Sequence, residues 1–269
     1  MLKRYPFSNS VSQSLRRATR VALLATACLS FSALGQAAEA PVAPLGVTTG
    51  GGYVPMVKAL NEVCKSPHLA IEGHFGGNIG QQLAQIEAGS GVSVVISDAA
   101  TLKRLKTNVT FDRTLVLGQS PLVLVWRSGL ALNSPADLKT EKVKTIAAPD
   151  PKAAVYGRVA KEWCEHLSAA EQKALEAKWL QVGHVPQVIS YVVRGEADAG
   201  FVNVVSMKKN AEKLGGHAFI TSGYEPITMT AQIVKGAPNA KAAEAYLDCL
   251  ATPKAQSVLA KFGVSREKK

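Results

Sequence analysis

Residues 45–64 read LGVTTGGGYVPMVKALNEVC. Five strand-forming residues run into Gly50, Gly51 and Gly52, and then Val54, Val57, Leu60 and Val63 recur at helical spacing. The pattern repeats twice more. Residues 69–75 (LAIEGHF) alternate like a strand, Gly76-Gly77-Asn78 breaks it, and 79–88 (IGQQLAQIEA) puts Ile79, Leu83 and Ile86 on one helical face. Gly89-Ser90-Gly91 stops that helix, 92–96 (VSVVI) reads as a buried strand, and 99–106 as a short helix. Strand, glycine loop and helix in succession imply a parallel sheet with helices on both faces. They also put the loops at the carboxyl ends of the strands, where open α/β sheets bind ligands.

Further along, 115–126 (LVLGQSPLVLVW) is the longest β-like stretch, interrupted by Pro121. It reads as a crossing into a second lobe. There the pattern predicts a strand at 144–148 and a helix over 154–166. A second helix follows over 168–179, with Ser168 and Glu171 at capping-box spacing. A helix over 185–194, with Pro186 in its first turn, precedes strands at 198–205 and 217–221. Residues 227–234 read as the return crossing, and the tail as two helices over 239–250 and 252–261. The expected lobes are 41–119 with 231–269, and 120–230.

The 269 residues are 47% hydrophobic and 19% charged, which excludes a disordered or low-complexity chain. The net charge is +11. Part of it sits at the start, where Lys3, Arg4, Arg16, Arg17 and Arg20 precede an apolar run, Val21 to Leu34, and a cluster of small residues. This order reads as a secretory signal over 1–37, with a second cleavage position after residue 40. The apolar run is shorter than the roughly 20 residues that a spanning helix needs. An exported chain is free to form disulfides, and beyond the signal it holds Cys64, Cys164 and Cys249.

Enzyme signatures are missing. The sequence has no G-x-S-x-G, H-E-x-x-H or G-x-x-x-x-G-K-[ST], no C-x-x-C, and no metal-ligand spacing among its histidines. Its basic residues are scattered and aromatics are only 6%, which argues against nucleic-acid binding. No catalytic residue, metal site or cofactor is expected. The chemistry that is present lies in three loops that open helices: Thr48-Thr49-Gly50-Gly51-Gly52, Gly76-Gly77-Asn78-Ile79-Gly80 and Ala153-Ala154-Val155-Tyr156-Gly157. A helix start carries unpaired N–H groups and the positive end of the dipole. Glycine lets an anion reach that backbone. Each loop is also an ordinary strand–helix turn, and only their convergence would make a cage.

Gln85-Ile86-Glu87-Ala88-Gly89, Val94-Val95-Ile96-Ser97-Asp98, Ile146-Ala147-Ala148-Pro149-Asp150-Pro151, Ala199-Gly200-Phe201-Val202-Asn203 and Ala251-Thr252-Pro253-Lys254-Ala255-Gln256, in that order and spacing, resemble the periplasmic molybdate-binding protein family. The resemblance runs over nearly the whole chain beyond the signal. It implies the type II periplasmic binding fold, two α/β lobes joined by two crossings. It also implies a monomeric soluble receptor that captures an oxyanion between the lobes and delivers it to an ABC permease in the inner membrane. Carried onto this sequence, the ligand residues are Thr49, Gly50, Gly51, Gly77, Asn78, Ile79, Tyr156, Val185 and Asn203. Three places depart from the family. Gly51 stands where the family's first loop supplies a serine, Asn78 or Ile79 where the second does, and Asn203 where a tyrosine commonly follows the strand. A retuned ligand, or a signalling role without transport, therefore stays open beside molybdate or tungstate.

Among single residues, Asn78 suits both a helix cap and an anion donor. Tyr53 either lines the cleft or packs beneath it. His74 and His184 read as solvated or locally bonded, with a place in the cleft as the alternative. Lys152 and Arg158 read as solvated, and Tyr224 as outside the site. Cys64 and Cys249 fall in the same expected lobe and are the expected disulfide, with Cys164 buried and free.

Overall fold

A computed structural model describes residues 43–266 of the chain. The signal segment at 1–37 lies outside them. The first sheet contains β1 (Leu45–Thr49), β2 (Ile71–Phe75), β3 (Val92–Asp98), β4 (Phe111–Ser120) and β10 (Ile227–Val234), in the order β2-β1-β3-β10-β4. The second contains β5 (Leu122–Arg127), β6 (Ile146–Pro149), β7 (Trp179–Val182), β8 (Ala199–Val202) and β9 (Leu214–Ile220), in the order β7-β6-β8-β5-β9. The two-lobed α/β architecture expected from the sequence is what forms. Each sheet is mixed, not wholly parallel. β1, β2 and β3 run parallel, but β10 lies antiparallel to both β3 and β4. Likewise β6, β7 and β8 run parallel and β5 opposes β8 and β9. The antiparallel strands are the ones reached by crossing between sheets.

Helices cover the sheets. In the first lobe they are α1 (Val54–Cys64), α2 (Ile79–Glu87), α3 (Ala99–Arg104), α8 (Ala240–Leu250) and α9 (Pro253–Lys261). In the second they are α4 (Val155–Glu165), α5 (Ala169–Glu176), α6 (Val185–Arg194) and α7 (Val204–Asn210). β1 and β3 are buried at every position, as strands covered on both faces must be. β4 is an edge strand whose outward positions carry Asp112, Thr114 and Val116, and the charge of Asp112 discourages pairing with another chain.

Three local readings change. The helix expected over 168–179 ends at Glu176, and Trp179–Val182 is instead the edge strand β7, held by pairing with β6. The strand expected over 198–205 stops at Val202, where Asn203 caps α7 by accepting a bond from the Ser206 N–H. Residues 227–234 lie wholly in the first sheet, so the return crossing falls between Ile220 and Ile227, ahead of the expected boundary at 230. Tyr224 ties the two crossings together. Its hydroxyl donates to the Ile220 carbonyl at 2.6 Å and accepts from the Leu122 N–H at 3.1 Å.

Cys64 at the end of α1 is bonded to Cys249 in α8. Cys164, partly buried in α4, is a free thiol, and burial pushes it up to about 12. The bridge spans 185 residues of sequence, so it removes much freedom from the unfolded chain. Replacing both cysteines by serine should cost about 2–5 kcal/mol. Thermal unfolding with and without reductant checks this: reductant should lower the melting temperature of the wild type and leave the double variant unmoved.

Candidate functional site

A small cavity of about 30 Å³ lies between the sheets. Its wall is Gly50, Gly51, Gly52, Tyr53, Asn78, Ile79 and Ser97 from the first lobe, and Ala154, Val155, Tyr156, His184 and Val185 from the second. A water needs roughly 10–15 Å³ of such space, so the cavity as it stands has room for a group of a few heavy atoms and is too small for a sugar or a peptide. Three of the loops at its wall follow β1, β2 and β6, and a fourth follows β7. All lie at the carboxyl ends of parallel strands.

Helix starts dominate this wall. Ile79 and Val185 open α2 and α6, and Val155 and Tyr156 open α4. All four residues are buried. Their N–H groups precede the first intrahelical bonds, and among the described residues none of them donates to another part of the chain. Buried N–H groups without acceptors are costly, and four of them at one cavity create a demand for an acceptor-rich, negatively charged occupant.

The side chains at the wall are largely neutral donors. Asn78 caps α2 with its Oδ1, which accepts from the Gln81 N–H at 3.0 Å, while the Gln81 side chain accepts from the Asn78 N–H. Its Nδ2 donates one hydrogen across the cleft to the Gly183 carbonyl at 3.3 Å, leaving the second for the cavity. The Tyr53 hydroxyl bonds that of Tyr156, and Tyr156 bonds Ser120 Oγ at 3.0 Å. Burial pushes both phenols well above their ordinary value, so they remain protonated. Among the described residues no Asp, Glu, Lys or Arg stands in the wall. His184 is its one imidazole, and its Nδ1 accepts the capping bond from the Gln187 N–H.

Six of the nine sequence-expected residues, Gly50, Gly51, Asn78, Ile79, Tyr156 and Val185, therefore meet at one cavity. The other three lie just behind it. Thr49 is buried in β1, with no partner for its Oγ1 among the described residues. Gly77 adopts φ +63°, a conformation that favours glycine, and turns its carbonyl to the Gly51 N–H at 2.9 Å. That bond takes the Gly51 amide out of the cage. Asn203 is fully buried; its Nδ2 donates at 2.7 Å to the Gly52 carbonyl and joins the lobes. A Cβ on Gly52 would come within 2.9 Å of that Nδ2, which explains the bare backbone there.

Of the remaining wall residues, Gly52, Ala154 and Val155 belong to loops already read as anion-binding, Tyr53 and His184 each had the cleft as one of two readings, and Ser97 was missed. The signal for Val155 was its place at the first position of a helix. His74 and His184 do not meet: His74 is on β2 beside Glu72, outside the cavity. Among the described residues there is no cluster of three His, Cys, Asp or Glu able to hold a metal ion. Lys152 is exposed, as expected, but Arg158 is not solvated. It is 5% exposed, and its Nη2 donates to Asp98 Oδ2 of the first lobe at 3.0 Å. The expectation failed because the carboxylate that holds Arg158 lies 60 residues away in sequence. A wider groove of about 500 Å³ beside this pair carries Arg104, Arg158 and Lys161 paired with Glu162, Glu165 and Glu225, together with Lys152, which has no ion pair among the described residues.

The family model described as bacterial extracellular solute-binding protein matches residues 45–265. The molybdate-binding protein ModA of Rhodobacter capsulatus is 30% identical over 200 residues, 71% of this chain and 76% of that protein. The ModA of Azotobacter vinelandii is 30% identical over 145 residues, 52% and 57% of the two chains. The solved periplasmic molybdate-binding protein of Azotobacter vinelandii superposes with a TM-score of 0.72 at 25% identity, covering 83% of this chain and all of that one. No helix among the described residues is long and apolar enough to cross a membrane.

Asn203 has two separable jobs, capping α7 and bridging to Gly52. Asn203→Asp keeps the cap acceptor but sets a carboxylate oxygen against the Gly52 carbonyl. It should therefore destabilise at least as much as Asn203→Ala, by about 1–3 kcal/mol in denaturant unfolding. A cap-only role would leave the aspartate variant at wild-type stability.

Proposed function

The chain belongs to the family of bacterial extracellular solute-binding proteins, and from that premise we propose that it is an exported periplasmic receptor for a small tetrahedral oxyanion, molybdate or tungstate. It binds the anion between its lobes and presents it to an ABC permease of the inner membrane. The observation that carries this reading is the convergence of three helix starts from two lobes on one small cavity, with four amides of buried residues that donate to nothing among the described residues. The helix dipoles point their positive ends at the same place. Neutral donors suit a dianion that must be released again, because they neutralise it without a fixed countercharge.

The donor set also favours one protonation state. The wall has no carboxylate to accept a proton from the ligand. A fully ionised molybdate or tungstate brings acceptors only. A protonated phosphate brings a hydroxyl that must donate, and the wall offers it hydroxyl and backbone carbonyl oxygens, which are weaker acceptors than a carboxylate. The relatives named for molybdate support this choice of ligand.

Thermal-shift screening of the chain from Ala38 onward, against molybdate, tungstate, sulfate, phosphate, small carboxylates, zinc, copper and iron, tests the ligand. An anion at 100 times its dissociation constant stabilises by about 2.7 kcal/mol. We expect that shift with molybdate and tungstate. A shift confined to a metal or an organic acid would replace the oxyanion with that ligand.

The cage itself is tested by two variants. Asn78→Ala removes a donor and a cap and should weaken molybdate binding about tenfold to a hundredfold. A Cβ on Gly51 already comes within 3.0 Å of the Gly77 carbonyl and 3.6 Å of the Pro186 ring, so Gly51→Val should abolish binding in calorimetric titration. Wild-type affinity in Gly51→Val would overturn the cage.

A further inference from the structure

Neither Asp98 nor Arg158 lines the cavity, yet they are among the most deeply buried charged side chains of the chain, at 0% and 5% exposure. Asp98 ends β3 in the first lobe. Its Oδ2 accepts from the Thr101 N–H, from Thr101 Oγ1 and from Arg158, and its Oδ1 accepts from the Thr228 N–H at 2.9 Å. Arg158 sits on α4 of the second lobe, three residues beyond Val155, so it shares a face with the start of that helix. Its Nε donates to Thr101 Oγ1 at 3.0 Å and its Nη1 to Glu162 Oε2 at 2.8 Å, and the guanidinium also reaches the Glu225 carbonyl in the return crossing at 3.4 Å. The fork therefore touches the first lobe, its own helix and the crossing at once. Burial raises the pKa of Glu162, but its bonds from Arg104 and Arg158 outweigh that and hold the group below the usual carboxylate range.

We propose that the Asp98–Arg158 pair is a latch that sets the affinity of the cavity by holding the lobes closed. The proposal rests on the receptor reading above. Two charges taken out of water favour the closed state only if they meet with their hydrogen bonds complete. Parting the lobes breaks the pair and returns both ions to solvent. Closure seats the fork, and with it the first turn of α4, whose Val155 and Tyr156 amides form part of the cage. The latch acts without touching the ligand, by raising the fraction of molecules that are ready to bind.

Arg158→Met, Asp98→Asn, their combination and Arg158→Lys test this through small-angle scattering of the ligand-free chain and calorimetric titration with molybdate. Arg158→Met should expand the radius of gyration and weaken molybdate at least tenfold. The double variant should be no weaker than Arg158→Met alone, because the two side chains act as one unit. Arg158→Lys keeps the charge without the fork and should weaken binding several-fold, and it serves if the methionine variant does not fold. Unchanged scattering overturns the latch. So does unchanged molybdate affinity in a folded variant, or losses that add in the double variant. If the wild type gives no heat with molybdate, the oxyanion reading fails, and scattering alone decides the latch.

Discussion

A buried N–H must find an acceptor, and four at helix starts around one cavity find none among the described residues. Much else in the structure follows from keeping those amides buried, aligned and unclaimed. Parallel strands deliver each helix start to the same edge of its sheet. Capping side chains that would otherwise fill the site are turned aside: Asn78 bonds its own third residue and the opposite lobe, and His184 bonds Gln187. Gly77 diverts its carbonyl to the Gly51 amide, removing that donor from the set. What remains is a donor surface drawn from both lobes, so neither lobe alone completes it.

The charges are kept elsewhere. The cavity wall is neutral apart from one imidazole, whereas Asp98, Arg158, Glu162, Arg104 and Glu225 cluster beside the crossings. This separation suits a site that must both bind and let go. A lysine or arginine in the wall would attract any anion. Backbone amides on rigid helices discriminate by position and by the protonation state of the guest. Between the wall and the charged cluster runs a line of hydroxyls, Tyr53, Tyr156 and Ser120, from the cavity to the first crossing.

Most of the fold was legible in the sequence because its signals are local. Three strand–glycine–helix units, Pro121 between two apolar runs, and the Ser168–Glu171 spacing each declare an element from neighbouring residues. The Cys64–Cys249 bridge followed from assigning both cysteines to one lobe. What escaped depends on distant partners. β7 is four residues long and exists because β6 lies alongside it. The burial of Arg158 requires Asp98, which no spacing rule connects to it. The site was legible at its helix starts, where backbone geometry dictates the chemistry. It was less so for Asn203, whose side chain bonds Gly52 across the lobes, and for Gly77, whose carbonyl bonds the Gly51 amide of a neighbouring loop.

The disulfide joins α1 to α8 across nearly the whole described chain, whereas the second sheet is built from one uninterrupted stretch, Leu122–Ile220. As the chain emerges, the second lobe has all its strands before the first has acquired β10 or α8. The earlier segments must therefore wait, half-paired, with Cys64 reduced and its partner still to come. The order of completion thus inverts the order of synthesis. The lobe that begins first is sealed last, and its covalent clasp marks a chain that has fully arrived.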